Sequence, residues 1–397
     1  MKIAPGVVAF VASVLTLMLA PNLSAQEPVV SASEIAVRSD ILNEDRPVIV
    51  SLPDGYEDSD ADYPVLYMLD GRQNMTHAIA TIDTLSSLGF VPKMIFVGIV
   101  STNRARDYTP SAVEGDANSG GAASFLAFLE TELIPSIEQE YQTSDHRILE
   151  GHSFGGLFGA YALMERPGLF DAYIILSPAL WWGGEEMNAR AKVYFSANPQ
   201  PAAKIYFGIG EQDGDGMRQE LGRFVETLET AKPEGLVWRH EEIAGEDHMS
   251  IRLPGHYQGL RYVFEDLQFT MADTGFDIDD FIAHEVNIRA RYGTAARQRE
   301  AIYQNYGIAL LQAERADEAA TVFEYLVQGY PGYHANLNLL AQAYEAAGRC
   351  ESAITAYESA AKASTTQTGT FTRAGYEEKA SRLRAAMADG DAMCKDQ

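Results

Sequence analysis

The sequence predicts an α/β architecture built on a mostly parallel central sheet, followed by a small all-α region. Three observations predict it. Between about residues 32 and 267, short β-rich apolar runs alternate with amphipathic helical stretches, the pattern of a parallel sheet covered on both faces. A serine flanked by glycines falls where one such run turns helical, in "EGHSFGGLFGAYAL" at 150–163. Beyond about Thr270 the strand signal stops and the chain becomes alanine-rich.

The chain opens with "MKIAPGVVAFVASVLTLMLAPNLSAQEPVV". One lysine precedes an apolar run from about Val7 to Ala20, then Pro21 and a small-residue exit. That run is shorter than the roughly 20 residues that span a bilayer, and it fits the apolar core of a secretory signal. Residues 1–25 are therefore expected to be a signal peptide cut near Ala25–Gln26, leaving an exported protein, periplasmic or extracellular, with no membrane span. A retained N-terminal anchor is the competing reading. No cysteine follows the signal, which argues against a lipoprotein anchor.

Strand candidates then come in order: "RPVIVSLP" (46–53), "YPVLYMLDG" (63–71), "KMIFVGIV" (93–100) and "HRILEGHS" (146–153). "YIILSP" (173–178), "KIYFGIG" (204–210) and "VWRHEEI" (237–243) continue the series. "ASFLAFLETELIPSIEQEY" (123–141) and "FGGLFGAYALMERP" (154–167) read as helices between them. The first strands lack intervening helices, so the sheet is expected to open with an antiparallel portion. These signals divide the chain into a first domain at 32–270, a linker at 271–297 and a helical region at 298–390.

In that last region a shift of 34 residues maps Tyr303 onto Leu337, Gly307 onto Ala341 and Leu310 onto Tyr344. It also maps Arg315 onto Arg349, Ala319 onto Ala353 and Phe323 onto Tyr357. Small residues recur where two helices must cross closely, and large ones recur where they pack. Period and pattern resemble tetratricopeptide repeats, with Pro331 ending the first unit and "GYEEKASRLRAAM" (375–387) as a closing helix. A generic pair of helical hairpins is the plainer alternative. Either way, the segment suits a contact surface for a protein partner. The two cysteines, Cys350 and Cys394, both fall here. In an oxidising compartment one bridge between them would pin the closing helix to the second repeat. Two cysteines alone cannot make a structural zinc site, which takes four ligands.

Composition narrows the function. The 30 basic and 56 acidic residues give a formal charge of −26. Such a field repels phosphate backbones and anionic lipid surfaces, which argues against nucleic acid as a partner. Hydrophobic residues make up 46% of the chain, enough to bury a sizeable core and to exclude global disorder.

The chemistry centres on Ser153. An uncharged serine is a poor nucleophile and needs a base in hydrogen-bond reach, with a third group to orient that base. Gly151-His152-Ser153-Phe154-Gly155 fits G-x-S-x-G, in which the serine occupies a sharp strand-to-helix turn. The bare pattern is weak; its setting and the partners downstream make it strong. Those partners are expected in the order acid, then histidine, each after a later strand. "EQDGDGM" after "KIYFGIG" offers Asp213, with Asp215 and Glu211 as alternatives, and "AGEDHMS" after "VWRHEEI" offers His248. His152, next to the serine, is expected to point away from the site, and His240 sits mid-strand. "EQDGDG" also imitates the start of a calcium loop, but Glu211 opens it and Gly222 would close it, neither of which suits that site. One oxyanion donor is expected to be the Phe154 backbone N–H. The other is expected from the loop after "VLYMLDG", around Gly71 or Arg72.

At this point the sequence resembles the α/β-hydrolase esterases related to siderophore esterases and to S-formylglutathione hydrolase (esterase D). The matching pieces are "YPVLYMLDGRQNM", "NRARDYTPS", "GGAASFLAFLETELIPSIEQEY", "GHSFGGLFGAYAL", "FDAYIILSPALWW", "GEQD" and "GEDHMS", in family order. The resemblance implies an α/β-hydrolase fold and a serine carboxylesterase acting through an acyl-enzyme, with no metal or other cofactor. By motif position it implies Ser153 as nucleophile, His248 as base and Asp213 as the acidic member. "NRARDYTP" would set Arg104, Arg106 and Asp107 at the cleft rim. "SPALWW" would set Ser177, Trp181 and Trp182 where aromatic walls hold an acyl or aryl group. Bracing of the fold is the alternative role for each.

The expected function is therefore an exported serine hydrolase that opens small-molecule carboxylic esters, siderophore esters among them. An acyltransferase or peptidase using the same triad is the alternative within enzymes. A catalytically silent adaptor that binds through its repeats is the alternative outside them.

Overall fold

The computed structural model describes residues 31–197, 202–366, 368, 371–389 and 394; the expected signal peptide at 1–25 lies outside the described residues. Eight strands form one sheet in the order β1-β2-β4-β3-β5-β6-β7-β8. They are β1 (Ser33–Ser39), β2 (Glu44–Ser51), β3 (Tyr63–Leu69), β4 (Ile95–Ile99), β5 (Thr143–His152), β6 (Ala172–Leu176), β7 (Ala203–Gly210) and β8 (Leu236–Ile243). β1 and β2 pair antiparallel, as do β2 and β4, and every later neighbour is parallel. The α/β-hydrolase class and the antiparallel opening are thus both present.

Every residue of β3, β4, β6 and β7 is buried. A strand covered on both faces has no reason to alternate, so these strands read in sequence as unbroken apolar runs. β1 escapes that reading because it is an edge strand in which only Val37 and Ser39 are buried.

Helices cover both faces. On one side lie α2 (Arg104–Tyr108), α3 (Ala122–Phe128), α4 (Ile134–Glu140), α5 (Phe154–Glu165), α6 (Trp182–Ala197) and α7 (Asp215–Ala231). A π-helical turn at 129–133 joins α3 to α4. On the other side lie α1 (Gly71–Ser87), α8 (Arg252–Val263) and α9 (Ile278–Tyr292).

α9 corrects the expected linker at 271–297. Asp277 caps it, its carboxylate accepting from the amides of Asp279 and Asp280 at 2.8 and 3.1 Å. Ile288 and Tyr292 pack into the core beneath the sheet, while Phe281 packs into the core of the helical region. A linker has no such two-sided apolar content.

The helical region holds α10 (Glu300–Gln312), α11 (Ala316–Gly329), α12 (His334–Ala346), α13 (Cys350–Ala363) and α14 (Arg373–Ala388), each packed on the next. Gly307 lies against the Phe323 ring so closely that any Cβ would overlap it. Ala341, Ala353 and Tyr357, their counterparts one period apart or across the crossing, are fully or almost fully buried. Cys350 and Cys394 form a disulfide. Among the described residues, no helix is long and apolar enough to cross a membrane.

Candidate active site

Ser153 stands at the C-terminal end of β5, where the chain turns at once into α5. Its backbone lies at φ 59° and ψ −114°, a region that L-residues enter only under constraint. Glycines make the turn feasible: a Cβ on Gly151 would overlap the carbonyl of Gly155, and one on Gly156 would press on Leu176 and Pro178. The turn is pinned on both sides. The Ser153 N–H donates to the Leu176 carbonyl, and its own carbonyl accepts from the Ala179 N–H, each at 3.0 Å.

Two later strands bring the other groups to the same rim. His248, in the turn after β8, has Nε2 at 3.1 Å from Ser153 Oγ and Nδ1 at 2.9 Å from Asp213 Oδ1. Asp213 follows β7 and is only 5% exposed. Its other oxygen, Oδ2, accepts the hydroxyl of Ser177, which is fully buried in a left-handed backbone at the end of β6. Burial pushes the Asp213 carboxyl up, but the bonds from His248 and Ser177 outweigh it and hold the group below its ordinary range. A carboxylate fixed in this way orients Nδ1–H of the imidazole, leaving Nε2 free to accept the serine proton.

Of the alternative acids, Glu211 turns elsewhere, its Oε2 accepting from the Gly245 N–H at 2.8 Å. The Asp215 side chain lies outside the described residues.

Phe154 is the first residue of α5, and Gly71 and Arg72 are the first two of α1. Amides in a first turn have no acceptor within their own helix, so all three are donors in waiting. Gly71 has no room for a Cβ against Gly98 of β4. The Arg72 side chain turns out to Glu34 at 2.7 Å, both groups exposed, so only its backbone is a candidate donor.

The rim residues separate into two groups. Arg104 stays at the site: Nε donates to both oxygens of Asp70 at 3.0 and 2.9 Å, and Nη2 donates to the His152 carbonyl at 2.9 Å. Its guanidinium lies 5.4 Å from the Phe154 ring centroid. Trp181 also stays, 44% exposed and 5.8 Å from the Phe154 ring. The other three are corrected. Asp107 is fully buried against the fully buried Arg46 at 2.8 Å. Arg106 turns to Glu44 and Asp107, each at 2.7 Å. Charges engaged this completely brace the fold instead of facing a substrate. Trp182 is likewise buried, its indole N–H donating to the Ser111 carbonyl at 3.0 Å.

His152 is a further correction. Rather than pointing away, its ring packs 4.6 Å from the His248 ring, and Nε2 lies 2.5 Å from the His248 carbonyl. Beneath it Glu150 meets His256 at 2.7 Å. The alternation of β5 is the signal that was missed, since residues 148, 150 and 152 share the face that α8 covers. Among the described residues, no group of three or more His, Cys, Asp or Glu side chains is placed to hold a metal ion.

The model of the family described as putative esterase matches residues 39–253. The ferri-bacillibactin esterase of Bacillus subtilis is 31% identical over 219 residues, covering 48% of this chain and 75% of that protein. The siderophore triacetylfusarinine C esterase of Aspergillus fumigatus is 28% identical over 242 residues, 52% of this chain and 83% of that one. The crystal structure of an IroE-like serine hydrolase from Shewanella oneidensis matches with a TM-score of 0.62 at 26% identity, covering 76% of this chain and all of that one (100%). At 18% identity, a protein from Capnocytophaga ochracea shares the fold across 89% of this chain and 100% of its own, with a TM-score of 0.65.

Proposed function

This chain belongs to the putative esterase family and is an ester-hydrolysing serine hydrolase, and from that premise we propose that Ser153, His248 and Asp213 form its catalytic triad. The contact that carries the reading is His248 Nε2 at 3.1 Å from Ser153 Oγ, backed by Asp213 on Nδ1. Ser153 Oγ attacks the ester carbonyl as its proton passes to His248. The N–H of Phe154, with that of Gly71 or Arg72, receives the oxyanion. His248 then protonates the leaving alcohol, which leaves an acyl-enzyme on Ser153. Water, activated by the same imidazole, attacks that acyl group, and the acid departs as the serine regains its proton.

Siderophore esters are the substrates to test first, because two relatives carry that activity in their names. Trp181 and Arg104, beside Phe154, are the residues proposed to meet the acyl group. Export through the segment at 1–25 belongs to the same reading. So does a protein partner on the tetratricopeptide-like helices, in a chain divided at about residue 270.

Ser153→Ala tests the triad. With a short nitrophenyl ester it is expected to lose turnover by at least about a thousandfold while keeping its melting temperature. Turnover at the wild-type rate would reject the assignment. Product analysis with a competing alcohol separates hydrolysis from acyl transfer.

A further inference from the structure

We propose that His152 is a positioning residue for the base: its ring N–H holds the main-chain carbonyl of His248 and so fixes the reach from imidazole to nucleophile. This inference rests on the triad reading and deepens it.

The segment that carries His248 is fastened at each neighbouring residue by its own surroundings. The Gln212 N–H donates to the Glu246 carbonyl at 2.9 Å. The Asp247 carboxylate accepts from the amides of Met249 and Ser250 at 2.9 and 2.8 Å, a local turn that closes on itself. Arg252 Nε, at the start of α8, donates to the Met249 carbonyl at 3.0 Å. None of these bonds reaches the strand that bears the nucleophile. The bond from His152 Nε2 to the His248 carbonyl does, at 2.5 Å. A carbonyl only accepts, so Nε2 carries the proton and the tautomer is set.

Residue 152 is therefore a junction. Its peptide continues directly into Ser153, its ring holds the backbone of the base, and its carbonyl takes Arg104, which in turn holds Asp70 ahead of the proposed second oxyanion donor. Three parts of the site that arrive on separate strands are referred to one residue. Displacements of about 1 Å at a reacting centre change rates by about a hundredfold, so this single bond has leverage on turnover.

The ring is suited to the task. It is 9% exposed. Burial, with the His248 ring beside it, pushes its pKa down to about 3. It therefore stays neutral at working pH and adds no second positive charge when His248 takes the serine proton.

The test compares three variants. In His152→Gln the amide nitrogen stands close to where Nε2 was and can still donate. In His152→Asn the amide is too short to reach, and His152→Leu has no donor. Turnover of a nitrophenyl ester, KM, the rate of labelling by a fluorophosphonate and the melting temperature are measured for each. Gln is expected to keep kcat within about threefold, while Asn and Leu lose about 10- to 100-fold. KM is expected to stay within about twofold, and labelling is expected to fall in step with kcat. A merely structural role predicts lower melting temperatures with unchanged kcat per folded molecule. If Asn turns over like wild type, or if Gln is as slow as Asn at equal stability, the positioning role is wrong. Ser153→Ala and His248→Ala serve as controls: retained turnover in those would overturn the triad itself, a different failure.

Discussion

Ser177 donates its hydroxyl to Asp213 Oδ2, the oxygen that His248 leaves free. Asp213 is thus held from two sides, by His248 and by a buried serine on the neighbouring strand's end. Ser177 pairs through its own N–H with the Gly208 carbonyl of β7 at 2.8 Å, so the clamp is built into the sheet. Removing the hydroxyl leaves a buried carboxylate oxygen without its donor, which costs about 1–3 kcal/mol. Ser177→Ala is therefore expected to lower kcat about tenfold through a looser Asp213, with KM unchanged. Wild-type kcat in that variant would mean that His248 alone suffices to fix the acid.

The turn at Ser153 stores backbone strain. A backbone at φ 59° and ψ −114° is open to glycine and costs other residues about 1–3 kcal/mol. Ser153→Gly and Ser153→Ala are both expected to be inactive, yet the glycine variant is expected to be the more stable by about 1 kcal/mol, since some relief is lost to glycine's added freedom in the unfolded chain. Chemical denaturation of the two side by side measures the difference. Equal midpoints would show that the turn is not strained.

Much of this arrangement was legible in the sequence, and the reasons it was are local. Buried parallel strands must be apolar throughout, so β3, β4, β6 and β7 stood out as runs, and the order Ser153, Asp213, His248 followed from strand ends. What stayed hidden depends on partners far along the chain. Asp107 reads as a rim charge until Arg46, 61 positions earlier, is seen to bury it. Trp182 reads like Trp181 until the Ser111 carbonyl is found over its indole N–H. His152 reads as a bystander because its partner is the main chain 96 residues later, and no side-chain motif records a carbonyl.

The buried ions on the α2 side give a sharp contrast with the rim role expected for them. Arg46 and Asp107 are both fully buried, and the Arg46 guanidinium also lies over the Phe125 and Phe128 rings at 5.3 and 5.8 Å. Removing Asp107 leaves the buried Arg46 with the partly exposed Glu44, at 2.7 Å, as its remaining counter-ion, and losing a buried partner in this way costs up to about 3–5 kcal/mol. Asp107→Ala is expected to lose that much stability while the folded fraction keeps its KM for ester. A raised KM at unchanged stability would return Asp107 to the substrate cleft.

Tyr292 fastens the helical region to the sheet. Its ring is fully buried and meets His146 edge-on at 4.9 Å and Phe264 at 5.0 Å, and its hydroxyl donates to Asp266 at 2.6 Å. Emptying a site of that size costs about 3–5 kcal/mol. Tyr292→Ala is expected to show it as a lowered denaturation midpoint. A chain cut after residue 270 removes α9 along with the helices and is expected to be rapidly proteolysed, its core uncovered around His146. A cut chain as resistant as the whole protein would show that the two parts fold independently.

Mild acid should weaken this fold before its carboxylates titrate. His146 and His152 are 4% and 9% exposed. Burial, the largest effect on each, pushes their pKa values from 6.5 down to about 4 and about 3. Between the unfolded value and those folded values the unfolded chain binds the extra protons, so stability falls as pH falls. Each buried imidazole contributes up to about 1.4 kcal/mol per pH unit across that window. The paired carboxylates act lower down: Glu44, held at about 2 chiefly by Arg106, and Asp213, held below 3.8, lose their contribution only below their own unfolded values. Denaturant midpoints are therefore expected to drop from pH 6.5 to 5, a range in which Asp and Glu change little. His77, pushed down to about 4 chiefly by burial, acts in the same window, and His152→Gln, which removes one of these groups, should lessen that slope. Midpoints that stay level from pH 7 to 5 would mean that these rings take up protons as readily in the folded chain as in the unfolded one.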